Sequence, residues 1–198
     1  MNIKRDLPNI AQHELGETVY EKSQEIRDIS LEGIVNQISQ YPAKNIVITG
    51  GEPLLQKKEL FQLFSFDFFQ DKFIEIETNG TIEPFDETPI DIHYNVSPKL
   101  INSFNPSDRR YKPEVLKKFV DVDAIFKFVV DSLDDILEIS EIIESVGMPK
   151  ERVYLMPKAQ NEFELKQNGA KVFEIAMENG YAYSHRVHIQ LFGSKRGI

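Results

Sequence analysis

The apolar residues of this chain alternate between the two spacings that are typical of β-strands and of α-helices. Short apolar runs bounded by turn residues predict strands, and stretches with an apolar residue every three or four positions predict helices between them. The predicted strands cover residues 45–49, 73–77, 93–96, 124–130, 153–156 and 186–191. Strands separated mainly by helices or long loops indicate a parallel α/β sheet, either open or curled into a partial barrel.

The predicted helices begin and end at residues that favour helix termini. Ser30 is suited to the N-cap of a helix that ends at Tyr41-Pro42. Further helices are predicted over residues 54–69, over residues 133–146 after Asp131-Ser132, and over residues 169–179 before Gly180. Residues 1–27 are polar and lack a sustained period, so we interpret them as an irregular segment that precedes one domain over residues 28–198.

Composition and charge exclude several classes of partner. The chain has 198 residues, of which 41% are hydrophobic, and its formal net charge is −9. This charge argues against a broad nucleic-acid or membrane-surface contact, although a small anionic ligand is still compatible with a local cluster of positive charge. No apolar run approaches the roughly 20 residues of a membrane span, and the N-terminus lacks the apolar block of a secretory signal. We therefore expect a cytoplasmic location.

Glycine-rich or polar segments directly follow four of the predicted strands. They are Thr49–Glu52, Thr78–Gly80, Ser97–Lys99 and Pro157-Lys158. Parallel strands place such segments at one edge, which is where α/β sheets and barrels bind ligands. Two consecutive glycines let a ligand approach the main chain, Glu52 suits an ammonium group, and Lys99 suits a carboxylate. A ligand with both groups, such as an amino acid or its derivative, matches this edge.

Six segments in order carry a family resemblance. They are ITGGEPLLQ at 48–56, IEIETNGT at 74–81, NVSPK at 95–99, FKFVV at 126–130, VYLMPKAQ at 153–160 and RVHIQLFGSKRGI at 186–198. From about residue 28 to its last residue, the chain resembles the 7-carboxy-7-deazaguanine synthases of the radical S-adenosylmethionine (SAM) superfamily. GGEP alone would indicate only the superfamily. The resemblance implies a partial (β/α) barrel of the radical SAM type and a role in the biosynthesis of queuosine and related deazapurines.

The resemblance also implies a reaction and its cofactors. Members of the family are carbon–nitrogen lyases that contract the ring of 6-carboxy-5,6,7,8-tetrahydropterin with loss of ammonia. In the family a 4Fe-4S cluster reduces SAM to methionine and a 5′-deoxyadenosyl radical, which abstracts hydrogen from this substrate, and Mg assists. A homodimer is implied as well. The reaction makes SAM and the pterin the expected small-molecule ligands of this chain.

The resemblance places binding roles on particular residues. Those implied to bind SAM are Gly50, Gly51, Glu52, Pro53, Ser97, Pro98 and Lys99. Thr49 is implied to face the substrate, and Arg186 and His188 are further candidates for substrate binding. Arg186 with Lys195 and Arg196 is either an anion site for the substrate carboxylate or part of an exposed basic tail. No catalytic residue or metal ligand is assigned.

Some of these motifs also have a plain structural explanation. Gly50-Gly51 and Asn79-Gly80 both fit tight turns, and Ser97-Pro98 is a common way to end a strand. Lys127 can extend its charged group from a buried strand, and His188 is of a type that is often packed or hydrogen-bonded in a core. For Gly50-Gly51 the neighbouring family segments argue against a turn without a ligand.

The chain departs from the family at its start, because it contains no cysteine. The family places a strand and a CxxxCxxC loop before the helix that begins near Ser30, and the three thiolates hold the cluster. His13 or Asp6 cannot replace three soft thiolates. We therefore expect the first strand and the cluster loop to be missing. The neighbouring strand is then an exposed edge unless residues 1–27 or another chain, such as a complementing N-terminal fragment, covers it.

Three hypotheses about function follow from this departure. The first is a synthase whose cluster-binding segment was lost, split off or excluded, so that this chain alone is inactive. The second is a non-catalytic remnant that binds SAM or the pterin without iron. The third is an unrelated α/β enzyme whose motifs coincide by chance, and the six ordered segments argue against it.

Overall fold

A computed structural model describes residues 28–193 and Lys195, which form two compact units. The first unit comprises the chain up to Thr78 together with Phe85–His93. The second unit comprises Asn79–Pro84 and the chain from Tyr94 onward. The irregular segment predicted for residues 1–27 lies outside the described residues, and the single domain over residues 28–198 stays a prediction.

The first unit contains a pair of parallel strands with helices before and after the first of them. Its elements are α1 (Leu31–Ile38), β1 (Asn45–Ile48), α2 (Lys57–Phe64) and β2 (Phe73–Thr78). β1 and β2 are in register from Asn45 opposite Phe73 to Ile48 opposite Ile76. Ser30 caps α1 as predicted, because its hydroxyl oxygen accepts a hydrogen bond from the Gly33 N–H at 3.1 Å.

The continuous helix predicted over residues 54–69 is wrong. This stretch forms a 3-10 turn at Pro53–Gln56, then α2, and then a second 3-10 turn at Asp67–Phe69. The break follows α2, where Phe66 adopts an extended backbone with ψ of 139°. Leu54, Leu60, Leu63, Phe64 and Phe69 are still buried in this broken form, so the spacing of these apolar residues did not reveal the break.

The second unit alternates strands and helices. In chain order its elements are β3 (Ile92–Val96, of which Tyr94–Val96 belong to this unit), α3 (Ser107–Arg110), α4 (Pro113–Asp121), β4 (Ile125–Val130), α5 (Leu133–Val146), β5 (Val153–Pro157), α6 (Glu162–Asn179), β6 (Ala182–Tyr183) and α7 (Val187–Phe192). β3 pairs with β4, β4 with β5, and β5 with β6, all in parallel. The parallel α/β class predicted from the sequence is therefore confirmed.

The core of the second unit lies on alternate positions of β4 and β5. Phe126, Phe128 and Leu155 are 0% exposed, and Phe119 of α4 and Ile139 of α5 are equally buried. Alternation is expected because successive side chains of a strand point to opposite faces of the sheet. Burial of such large apolar side chains is the main favourable contribution to folding.

Two predictions at the C-terminal end need correction. The strand predicted over residues 186–191 is wrong, because this stretch is helix α7 and the N–H groups of Ile189 and Gln190 bond back to the Arg186 carbonyl. The last strand is β6 instead, and it pairs with β5. Helix α6 ends before Gly180 as predicted but begins two turns earlier than residue 169, after the N-cap Asn161. Among the described residues, no helix has both the length and the apolar character needed to cross a membrane.

Candidate functional site

The loop Thr49–Pro53 follows β1 in the first unit. Gly50 has φ of 120°, in the region that favours glycine, so a side chain at this position would strain the loop. Half-buried Glu52 caps the turn that begins at Pro53, and its Oε1 accepts hydrogen bonds from the Leu54 N–H at 3.1 Å and from the Thr78 hydroxyl at 2.8 Å. The Glu52 carboxylate thus fixes the loop to the end of β2.

A second carboxylate lies beside the same loop. The exposed Thr49 hydroxyl donates a hydrogen bond to Glu77 Oε2 at 3.1 Å. Glu77 and Thr78 are adjacent at the end of β2. Glu77 binds Thr49, and Thr78 binds Glu52. Carboxylates close to glycine peptide groups are suited to an ammonium group. Sequence reasoning did not assign Glu77 to the site, although its position at the end of the strand next to β1 was the available signal.

The segment Ser97–Lys99 follows β3 in the second unit. Pro98 is buried, and the flanking Val96 and Leu100 are 0% and 2% exposed. Lys99 is exposed between these anchors. The main chain is therefore held on both sides of a cationic side chain that can reach an anion.

Arg186 and His188 lie at the start of α7, also in the second unit. The Arg186 carbonyl accepts the first hydrogen bonds of the helix, while its buried Nε has no hydrogen-bond partner among the described residues. Burial lowers the pKa of the Arg186 guanidinium below its ordinary value, because the charged form loses hydration. His188 is exposed, so it is not a packed core histidine. Lys195 is exposed, and Arg196 lies outside the described residues.

A histidine that the sequence analysis did not single out is hydrogen-bonded near α7. The Tyr183 hydroxyl lies 2.9 Å from His185 Nδ1, and His185 Nε2 lies 3.1 Å from Gln190 Oε1. Burial raises the pKa of the Tyr183 hydroxyl. This chain of contacts links β6 to α7 and holds the residues that follow Arg186.

The predicted site residues are divided between the two units. Thr49 and Gly50–Pro53 belong to the first unit, where they are brought together with the end of β2. Ser97–Lys99, Arg186 and His188 belong to the second unit.

The main-chain and carboxylate groups of this candidate site suit SAM better than they suit an iron–sulfur cluster. The chain contains no cysteine, and the described residues include no group of three His, Asp or Glu side chains arranged for a metal ion. A cluster of the thiolate type therefore does not fit this chain. The Gly50 backbone and the carboxylates of Glu52 and Glu77 do suit the ammonium group of SAM.

Comparisons with known proteins point to one family. No family model matches the chain. It is 31% identical over 155 residues to the 7-carboxy-7-deazaguanine synthase of Pyrobaculum aerophilum, over 77% of this chain and 67% of that protein. The synthase of Halobacterium salinarum is 30% identical, over 83% of this chain and 71% of that protein. The synthase of Rhodopirellula baltica is 29% identical, over 85% and 69% respectively.

The fold is also similar to a solved structure. The crystal structure of QueE from Escherichia coli matches with a TM-score of 0.56 and 22% identity, over 82% of this chain and 66% of that one. The chain thus spans about two thirds of the length of the proteins that it matches.

Proposed function

This chain belongs to the 7-carboxy-7-deazaguanine synthase family, and we propose that it keeps the SAM pocket of that family but needs cluster ligands from outside these 198 residues. The substrate proposed for the complete enzyme is 6-carboxy-5,6,7,8-tetrahydropterin. The observation that carries the proposal is the loop after β1. There Gly50 has a backbone conformation that favours glycine, and the nearby Glu52 carboxylate is held by Thr78.

The proposed SAM site uses both charged ends of the amino acid part of SAM. The ammonium group binds at Gly50, Gly51 and Glu52, with Pro53 starting the turn that fixes the loop. The residues Ser97, Pro98 and Lys99 supply a further part of the site, in which the exposed Lys99 ammonium suits the carboxylate. SAM would supply the adenosyl group for the radical chemistry of the family.

The proposed substrate contacts are Thr49, Arg186 and His188. Arg186 supports this assignment because its buried Nε has no partner among the described residues, and an anionic group would supply one. A pterin carboxylate is the anion that the family substrate offers. Thr49 and His188 are both exposed, so a ligand has access to them.

No reaction step through an iron–sulfur cluster is assigned to this chain, and we propose that it is inactive alone. A cysteine-bearing N-terminal fragment is the partner that would complete it, and a second copy of the chain is the other partner we propose. An added strand fits the first unit, because among the described residues β1 pairs only with β2. Val47 of β1 is also 52% exposed and no residue of α1 is buried, so further cover has room. An unpaired strand edge is a template for another strand.

Anaerobic reconstitution tests this proposal. With iron and sulfide, the chain alone should show neither the broad visible absorption of a 4Fe-4S cluster nor reductive cleavage of SAM. Addition of a cysteine-bearing N-terminal fragment from a relative should restore both, and the same fragment with its cysteines changed to serine is the matched control. A cluster formed on this chain alone would overturn the proposed deficit.

A non-catalytic binding protein is the second candidate, favoured by the absence of cysteine from the chain. It predicts that SAM or the carboxylated pterin binds with the same affinity with and without iron. Titration calorimetry at millimolar ligand measures both affinities. Turnover with the complementing fragment would exclude this candidate, and no binding of either ligand would exclude a retained pocket.

A further inference from the structure

An ion pair holds the main chain on both sides of Leu100, directly after the Ser97–Lys99 segment. Arg110 Nη1 donates a hydrogen bond to the Lys99 carbonyl at 3.0 Å, and Glu138 Oε2 accepts one from the Ile101 N–H at 2.8 Å. Arg110 Nη1 and Glu138 Oε1 lie 2.5 Å apart. We call this arrangement, formed by Arg110 of α3 and Glu138 of α5, the Arg110–Glu138 clamp.

The clamp is well shielded from water. The Arg110 side chain is 9% exposed and the Glu138 side chain is 19% exposed. The buried Nε of Arg110 has no hydrogen-bond partner among the described residues, which reduces the net stability that the pair can contribute. Buried ion pairs are weak sources of stability, because the cost of desolvating both charges offsets much of their attraction. Stability alone is therefore a poor explanation for this pair.

Two further contacts fix the same loop. The Asn102 side chain donates from Nδ2 to the Val129 carbonyl at the end of β4, at 3.0 Å, and Leu100 is 2% exposed. The clamp and these contacts hold the main chain from Lys99 to Asn102. A loop that is ordered before its ligand arrives avoids the entropy cost of ordering it on binding.

We infer that Arg110 and Glu138 are positioning residues for SAM, acting through the main chain of the loop that carries Lys99. The inference rests on the proposed function, because it takes Ser97–Lys99 as part of the SAM site. Neither clamp side chain is assigned a contact with the ligand. The clamp instead sets where the Lys99 Cα lies and the direction in which its side chain leaves the loop.

A reversed ion pair separates positioning from a merely structural role. The double variant Arg110→Glu with Glu138→Arg restores the attraction between the two charges. It also places an acceptor against the Lys99 carbonyl and a donor against the Ile101 N–H, so both main-chain hydrogen bonds are lost. If the pair acts only through the attraction between its two charges, this variant keeps both stability and SAM affinity, whereas positioning through the two main-chain hydrogen bonds predicts that SAM affinity is lost.

The affinities can be measured by NMR titration of the full ¹⁵N-labelled chain with SAM up to millimolar concentration. We expect the reversed pair to weaken the Kd for SAM by about tenfold. This is the effect of losing one charge-assisted hydrogen bond, here the one proposed between the Lys99 ammonium and the SAM carboxylate. Amide exchange at Ile101 should rise by at least about tenfold without ligand, because its N–H loses its acceptor. The controls Glu141→Gln and Arg109→Lys change exposed side chains on the same two helices and should leave the Kd within about twofold of its original value.

The outcomes distinguish this inference from the proposed function. If the original chain shows no shifts with SAM, the retained SAM pocket is overturned and the inference falls with it. If the original chain binds SAM and the reversed pair binds equally well, only the inference is overturned. Should the reversed pair fail to fold, the milder Arg110→Lys change gives the same test, with Arg109→Lys as its control. The lysine side chain is shorter than arginine, so its donor lies farther from the Lys99 carbonyl.

Discussion

Strand β1 of the first unit and strand β4 of the second unit are apolar parallel strands of the same kind, but only β4 is buried. Val47 in β1 is 52% exposed and no residue of β1 is buried, whereas Phe126 and Phe128 in β4 are 0% exposed. Among the described residues β1 pairs only with β2, while β4 pairs on both sides with β3 and β5. An apolar run therefore predicts a strand, but its neighbours decide whether the strand is buried.

The helices differ in the same way. Helix α1 has an apolar face but no buried residue, while α5 buries five of its residues, including Ile139 and Ile142. Helices gain most of their stability in proteins from packing of such a face. Helix α1 and strand β1 thus lack the cover that α5 and β4 have, and substitutions in these two regions should differ in cost.

The largest difference is expected in the core of β4. Phe128→Ala removes a fully buried ring and should lower the free energy of unfolding by about 3–5 kcal/mol. Phe104→Ala is the matched control, because Phe104 is 90% exposed in the same unit and its loss should cost less than about 0.5 kcal/mol. Urea unfolding followed by circular dichroism measures both values, and equal costs would contradict the assignment of the core.

The helix caps provide the next comparison. Asp135 is 1% exposed and accepts hydrogen bonds from the N–H groups of Asp131 and Ser132 at 2.7 and 2.8 Å. Asp135→Ala should cost about 2–3 kcal/mol, because two main-chain N–H groups lose a charged, buried acceptor. Ser30→Ala removes the exposed cap of α1 and should cost about 0.5–1 kcal/mol. Urea unfolding measures both costs, and Asp134→Ala, at an exposed position, is the control. A larger cost for Ser30→Ala than for Asp135→Ala would contradict this prediction.

A smaller effect is expected where the first unit does bury a polar contact. Thr78 is 4% exposed, and Thr78→Val removes its 2.8 Å hydrogen bond to Glu52 at a cost of about 1 kcal/mol. Thr49→Val removes the exposed hydrogen bond to Glu77 and should change the unfolding free energy by less than about 0.5 kcal/mol. Thermal unfolding compares the two variants, and no loss at Thr78 would show that Glu52 does not need this contact to hold its loop.

Sequence patterns predicted the strands where local spacing and tertiary environment agree. The strands at 73–77 and 124–130 appear as β2 and β4 with nearly the expected ends, because their alternating or apolar runs are also buried. Alternation failed at Val187, Ile189 and Leu191, where a short helix buries only Ile189. Six residues are too few to separate the two periods, and the two-residue strand β6 is too short to show either.

The candidate site was predictable only in part. Gly50 and Glu52 could be singled out because the binding roles proposed for them require particular residue types close together in the sequence. Arg110 and Glu138 lie 28 residues apart on different helices, and their meeting depends on how those helices pack. Helix α4 was not predicted either, although Pro113 at its first turn is a common helix start.

The smallest expected effect is the sharpest test of the comparison. Val47→Thr keeps the branched shape and strand preference of the residue, and because the side chain is 52% exposed it should change the unfolding free energy by less than about 0.5 kcal/mol. Val130→Thr makes the same change in β4 at 1% exposure and should cost about 1–3 kcal/mol, since a hydroxyl is buried. Equal costs in the chain alone would mean that β1 is already covered in solution. If the complementing fragment adds a strand to β1, its presence should raise the cost of Val47→Thr toward that of Val130→Thr, whereas a fragment that binds elsewhere should leave the difference unchanged.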